Sequence, residues 1–418
     1  MLLDWAMSLT AKPQPRYGGW GKPSIGVGLA VLIIAVLGCS DSLTERGETV
    51  HPVASDLASS RFPQFLRSDT ASTEEVRFLE SLSRPLSSSA IGVLDGNPDL
   101  IFGRLAGAVI VRDTRGERRL ILLDIATAEI LLFTMDGRPM ARAGGFGEGP
   151  GEIASPASLG SGRMPGEIVV ADHFGKLHTF RIEADSLVYS SRLNIGIPID
   201  MGCMVGPQWV VMTAGTARDT LASANPTLFL VDTAGAVPQG FGVPYYSRDP
   251  IARYWYSAGH LECSAEAKMV FAAYMRLGEV HAFSAEGNRI WIRRIPGFSL
   301  VSSFYNSRSR AFAYDQNYRG VLDMIDGLAT VGSRFLAVRV LSTDYSESPA
   351  VSSDRTLWMR SRDGAVLGSL PKGVRVLGGD DSHVVLYSED PYPRFDVRPL
   401  SLVSTAFGSM PPKRRSSF

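Results

Sequence analysis

Six short apolar runs, at residues 120–124, 168–172, 209–213, 269–273, 335–340 and 384–387, recur at intervals of roughly 40 to 65 residues. Each is followed by a second run, at 130–133, 177–182, 228–231, 280–283, 357–360 and 395–400. A further run follows in five of the units, at 140–143, 187–193, 236–241, 289–295 and 365–370. The turns between them include Asp136-Gly137, Ala234-Gly235, Glu286-Gly287 and Asp363-Gly364, the chemistry of a hairpin reversal. No long helical period interrupts the series. Short strands parted by turns at a regular spacing predict an all-β fold, here a six-bladed β-propeller of four-stranded blades. The last unit lacks its fourth strand, and an open ring would leave edges that invite aggregation. The strand-like run at residues 90–94, stopped by Asp95-Gly96-Asn97-Pro98, is predicted to close the ring from the N-terminal side.

Between the first two units lies Gly144-Gly145-Phe146-Gly147-Glu148-Gly149-Pro150-Gly151-Glu152. So many glycines beside a proline exclude helix and strand interior and predict a tight loop. Successive N–H groups in such a loop can cradle an anion, but Glu148 and Glu152 oppose one and no phosphate-loop lysine is present, so a structural turn is expected. This loop, Pro156 and the run Ile168-Val169-Val170-Ala171-Asp172 resemble the six-bladed β-propeller lipoproteins of bacterial envelopes, relatives of the NHL-repeat propellers. The resemblance is specific over residues 120–194. Later units depart from it: Ala272-Ala273 carries no aspartate where Asp124 and Asp172 stand. It implies a shape and a cellular address more than an activity.

The N-terminal stretch agrees with that address. Lys12, Arg16 and Lys22 precede an uncharged run at residues 25–37 that ends in Gly38-Cys39-Ser40. Basic residues, a short apolar segment and a small residue before the cut describe an export signal, too short to span a bilayer comfortably. Val36-Leu37-Gly38-Cys39 resembles a lipobox, which implies lipidation of Cys39; Ser40 after it favours the outer membrane. The expected organisation is an export signal at 1–38, a lipidated cysteine and flexible tether at 39–72, the propeller at 73–405 and a tail at 406–418. Within the body a short helix is expected at 74–82, with Thr73 as its cap. Lys+Arg and Asp+Glu are balanced at 42 each, which excludes a phosphate-tracking groove and hence nucleic acid. Cys203 and Cys263 read as two buried thiols, with one disulfide as the alternative.

Two connections between units are long. One carries Tyr245, Tyr246, Arg248, Arg253, Tyr254, Trp255 and Tyr256; the other carries Tyr305, Arg308, Arg310 and Tyr314. Long loops on a rigid scaffold concentrate binding residues, and tyrosine, tryptophan and arginine dominate binding hot spots. They predict a surface for an envelope protein, peptide or saccharide; packing of the same rings into the channel and between blades is the competing expectation. No H-E-x-x-H or G-x-S-x-G pattern is present, so no catalytic residue is assigned. Asp200, His260, Glu262 and Asp323 (or Asp326) fall where innermost strands would face an axis. They could hold a calcium or magnesium ion there, as in the related lactonase and lyase propellers, although polar residues lining a wet channel are the simpler expectation. Three classes remain: a binding or interaction module, a metal-dependent lactonase- or lyase-type enzyme, and a structural envelope component.

Overall fold

The structure, a computed structural model, is described for residues 49–50, 91–94, 96–213, 226–232, 234–235, 239–243, 255–300, 303–306, 311–313, 320–370 and 372–400, and for Ser72, Glu75, Leu79, Leu82, Leu86 and Ala90. All of these belong to one compact unit, Arg46–Phe418. The expected export signal, Cys39 and the tail lie outside the described residues.

Strand β1 is Thr49–Val50, inside the expected tether. The first four-stranded sheet is β2 (Leu105–Arg112), β3 (Arg118–Asp124), β4 (Glu129–Thr134) and β5 (Pro139–Gly144). The next is β6 (Pro156–Ser161), β7 (Glu167–Asp172), β8 (Lys176–Glu183) and β9 (Ser186–Asn194). Then come β10 (Met201–Val205), β11 (Gln208–Met212), β12 (Leu228–Val231) and β13 (Gln239–Phe241). The fourth sheet is β14 (Gly259–Ser264), β15 (Met269–Tyr274), β16 (Glu279–Ser284) and β17 (Arg289–Arg294). Strands β18 (Ser303–Asn306) and β19 (Ala311–Ala313) join β1 in a small three-stranded sheet. The remaining strands are β20 (Val321–Val331), β21 (Phe335–Asp344), β22 (Val351–Arg360), β23 (Val366–Leu370), β24 (Arg375–Gly379), β25 (His383–Ser388) and β26 (Arg394–Pro399).

The burial pattern explains why these segments are strands of this kind. Side chains of a strand alternate between faces, so an unbroken apolar run needs cover on both. Such cover exists over β3, where every residue after Arg118 is buried, and over β15, buried throughout. The fourth strands β5 and β9 carry no fully buried residue, as an outer edge should.

The sheets are antiparallel meanders arranged as a β-propeller. First strands are neighbours in succession, β2 by β6, β6 by β10, β10 by β14, β14 by β20 and β20 by β24, and the cycle closes with β24 against β2. Among the described residues, six apolar clusters fill the spaces between successive sets of strands. The one at the closure unites Phe102, Phe133 and Phe395, with ring centroids 5.3–6.1 Å apart. Gly378 permits the close approach there, because a Cβ on it would fall 2.1 Å from the Ala108 carbonyl oxygen.

The sheet count differs from the expectation of six separate four-stranded blades. Four sheets are separate, but β20–β23 and β24–β26 form one seven-stranded sheet, linked through a single parallel pair, Val331 and Gly379. The physical reason is the length of β20: its 11 residues carry it far enough towards the turn to meet the end of β24. Next to β26, Ile91 makes an isolated antiparallel bridge with Phe395 through two N–H···O bonds of 2.7 and 2.9 Å.

The helical residues Glu75, Leu79 and Leu82 come from the expected helix, but its cap is Ser72, not Thr73. The Ser72 hydroxyl accepts from the Glu75 N–H (3.2 Å) while the Glu75 carboxylate accepts from the Ser72 N–H (2.7 Å). This reciprocal pair satisfies two donors that a helix start leaves orphaned. Leu82 is buried beside Phe335 and Trp358, and the Glu75 carboxylate clamps Arg360 with two bonds of 2.8 and 2.9 Å.

Candidate functional site

The first strands start and the second strands end on one side of the ring, here called the loop face. The turns from first to second strand lie on the opposite, hairpin face. On the loop face, Asp124 ends β3 and accepts from the N–H groups of Gly103, Arg104 and Ala126 at 2.6–2.9 Å. Its counterpart Asp172 ends β7 and accepts from Phe174 N–H at 2.7 Å. Burial alone would raise the Asp172 carboxyl, but His178 beside it and the Phe174 and Lys176 N–H groups hold it below the usual carboxylate range. These aspartates staple turns; they are anchors of the scaffold.

The glycine loop is also a turn with its own anion. Glu152 Oε2 accepts from Gly149 N–H at 2.8 Å, and a Cβ on Gly147 would fall 2.0 Å from that oxygen. The carboxylate therefore fills the concavity a bound anion would need. Beside it Phe146 and Phe174 stand 60% and 62% exposed, and Lys176 Nζ lies 3.7 Å from Glu148 and 6.0 Å from the Phe174 ring.

Of the residues expected to form a binding surface, Tyr245, Tyr246, Arg248, Arg253, Tyr254, Arg308, Arg310 and Tyr314 lie outside the described residues, and Tyr305 is described only as part of β18. Trp255 and Tyr256 are described and turn inward. Tyr256 is buried in the apolar cluster between the third and fourth sheets, and Trp255 packs against that cluster. The Arg276 guanidinium lies 3.6 Å from the Trp255 ring centroid and donates to the Trp255 carbonyl at 3.3 Å. For these two side chains the packing expectation holds. They pin the end of the long connection, and sequence reasoning missed Arg276, which nothing in its neighbourhood marks as a stacking partner.

The axis presents two polar regions. Towards the loop face, His260 on β14 has its imidazole held below the usual histidine range by burial, against the pull of Asp326. Asp326 sits at a bulge of β20 and pairs with Arg339 at 2.5 Å, which in turn pairs with Asp354 at 3.1 Å. Arg375 stands near this group and is pushed down by burial and by the like charge of Arg339; it pairs with Glu389 at 3.2 Å. Asp326, Arg339 and Asp354 lie on the consecutive strands β20, β21 and β22 of one meander, and only Arg375 reaches them from β24.

Towards the hairpin face is a cavity of about 90 Å³ to which all six first strands or the turns that follow them contribute, among them Ala108, Gly160, Cys203, Glu262, Thr330 and Gly379. Glu262 is part-buried on its wall, and lost hydration pushes its carboxyl up to about 8. Cys203 and Cys263 are bonded as a disulfide with Cα atoms 5.6 Å apart, which corrects the expectation of two free thiols. Adjacent first strands place them in range, a proximity that sequence alone does not state.

Among the described residues no three histidine, cysteine, aspartate or glutamate side chains are grouped to hold a metal ion. Asp323 is committed elsewhere, accepting from Ser299 N–H at 2.8 Å and from the Ser342 hydroxyl at 2.5 Å. His260 and Glu262 share β14, and the Asp200 N–H donates to the Met212 carbonyl at 2.8 Å at the start of the third sheet.

No protein-family model matches the sequence, and no curated protein matches it. Solved structures similar to it include a Bacteroides fragilis protein described as exported, with 12% identity over 73% of this chain and 84% of that one and a TM-score of 0.49. A DUF4221-family protein from Bacteroides vulgatus has 8% identity over 75% of this chain and 96% of that one, TM-score 0.44. The β-propeller domain of Swd1 (Cps50) from Myceliophteria thermophila has 9% identity over 70% and 96%, TM-score 0.37.

Proposed function

We propose that this chain is a six-bladed β-propeller binding module, exported and lipid-anchored at Cys39 on the outer membrane, which engages an envelope protein, peptide or saccharide on its loop face. The seven-stranded sheet counts as two blades, because its halves pack on each other, are covered on their far sides by the fourth and the first sheet, and meet at one paired position. Ile91 supplies the fourth strand of the last blade through its bridge to Phe395. The observation that carries the functional reading is positional. The long connections leave and rejoin the body at Phe241 and Gly259, and at Arg294 and Val321, on the face where Phe146 and Phe174 are exposed. A ring turns loops distant in sequence into one rim, and aromatic rings with arginines supply large contact area with directed polar groups. Tyr245, Tyr246, Arg248, Arg253, Tyr254, Tyr305, Arg308, Arg310 and Tyr314 are the contributors, with Trp255 and Tyr256 as their buried anchor.

The test is crosslinking of the lipid-free body, from Ser72 onward, to envelope material, alongside a variant with Tyr245, Tyr246 and Tyr254 changed to alanine. The reading expects a saturable partner that the variant loses while keeping its melting temperature. Equal capture by both proteins overturns it. Radiolabelled fatty acid incorporated by the wild type and not by C39A checks the anchor separately.

A further inference from the structure

Single apolar side chains on a surface need no explanation, but their distribution here is one-sided. Among the described residues twelve large hydrophobic side chains are exposed, and nine of them stand at the loop face. The other three are Met164, in the turn from β6 to β7, and Val188 and Ile290, near the hairpin-face ends of the outer strands β9 and β17. The nine follow the rim. Leu94 (75% exposed) precedes β2, Phe146 lies between the first two sheets, Phe174 lies in the turn from β7 to β8, Val243 follows β13, and Tyr345 follows β21. Phe146 and Phe174 stand on neighbouring loops, since Lys176 Nζ lies 3.7 Å from Glu148 of the glycine loop and 6.0 Å from the Phe174 ring. A second observation concerns the chain that leads into the body. Thr49 of β1 pairs with Phe304 of β18, and β18 belongs to the connection that leaves β17 and rejoins at β20 on the same face.

We propose that the loop face rests on the lipid surface in which Cys39 is anchored, with Phe146 and Phe174 set among the lipid headgroups. The proposal rests on the reading of an exported, lipid-anchored chain and adds the orientation of the body. Chain length selects the occupant. Ten residues lead from Cys39 to Thr49, and ten residues reach about 35 Å at full extension, so the strand that joins the loop-face connection stays close to its lipid. The spread of the apolar residues agrees. A protein partner is met by anchors gathered near the centre of a contact, whereas single side chains spaced round a rim match a plane. Aromatic side chains carried on a surface settle at the boundary of headgroups and acyl chains. A few such contacts bind weakly alone, but a short tether presents them to the lipid at high effective concentration. A partner met by the long connections is then one presented at the membrane surface.

The experiment reconstitutes the full chain, carrying its lipid, into phosphatidylcholine vesicles and places tryptophan singly by F146W, F174W and M164W. Emission of the wild type is subtracted, and lipid brominated close to the headgroup quenches whatever lies at that depth. Quenching at 146 and 174 is expected to exceed that at 164 several-fold. Equal quenching at the three positions, or none, overturns the proposal; crosslinks from 146 and 174 to an envelope protein or to a second copy would then name the occupant. Melting temperatures show that the variants fold, and should F146W not, F174W against M164W decides. The readout needs no partner, so failed capture of envelope material leaves it standing. A chain that carries no fatty acid sinks the anchor reading by itself. The same variants are then titrated with excess brominated vesicles: preferential quenching at 146 and 174 supports the proposal, and its absence overturns it.

Discussion

Glu75 and Arg360 are 285 positions apart, yet each is nearly closed off from solvent and they meet through two hydrogen bonds. The Arg360 hydrogen bonds hold the Glu75 carboxyl down at about 2. Because the folded value lies below the unfolded one, the pair stabilises at neutral pH and its contribution fades as pH falls from about 4.5 towards 2. Glu75→Gln is therefore expected to lose about 2–3 kcal/mol at pH 7, with the difference from wild type vanishing near pH 2 in urea titrations. Glu262 behaves oppositely. Its folded value, about 8, lies above the unfolded one, so stability falls as pH rises from about 4.5 to 8. Glu262→Gln is expected to raise the melting temperature at pH 8–9 and to leave it unchanged at pH 4. At this scale the sequence was partly legible. The Ser72-x-x-Glu75 box is a local pattern, and Asp172 declares itself as a turn residue by its position after a strand. The partner of Glu75 and the isolation of Glu262 are set by residues far along the chain.

At the scale of elements, the second and third strands were the most readable, since burial on both faces makes them unbroken apolar runs. Runs read at 228–231 and 280–283 fall on β12 and within β16. First strands were harder to see, because one edge of each borders the axis and tolerates Gly160, Gly202 and Gly378. Two joins between such strands are open to test. Gly378→Ala is expected to destabilise by about 1–3 kcal/mol, because the added methyl meets the Ala108 carbonyl and β24 must shift from β2. Replacing Cys203 and Cys263 together by serine releases a crosslink spanning 60 residues. On the chain-entropy account that lowers stability by about 4 kcal/mol, to be measured by guanidinium titration against the oxidised protein.

For the whole molecule, the decisive feature is the cycle of first strands that returns from β24 to β2. Its last gap is filled by the aromatic cluster of Phe102, Phe133 and Phe395. Phe395→Ala is expected to cost about 3–5 kcal/mol, more than a comparable change on an outer strand, because it empties the joint that holds both ends of the ring. Removing residues up to 95 deletes Ile91 and exposes the edge of β26; size-exclusion chromatography is expected to show association of the truncated chain, in line with the behaviour of unpaired edges. A monomer as stable as the parent would show that the ring closes without that strand.

What the sequence determined by itself was the order and type of the second and third strands and the turn at the glycine loop, because each depends on periodicity and on neighbours a few residues away. Tertiary structure alone decided the Cys203–Cys263 bond, the cavity around Glu262, the approach of Arg375 to Asp326 and Arg339, and the fusion of β20 with β24. Those features join residues from different sets of strands, and their proximity arises only when the ring brings successive first strands side by side around one axis.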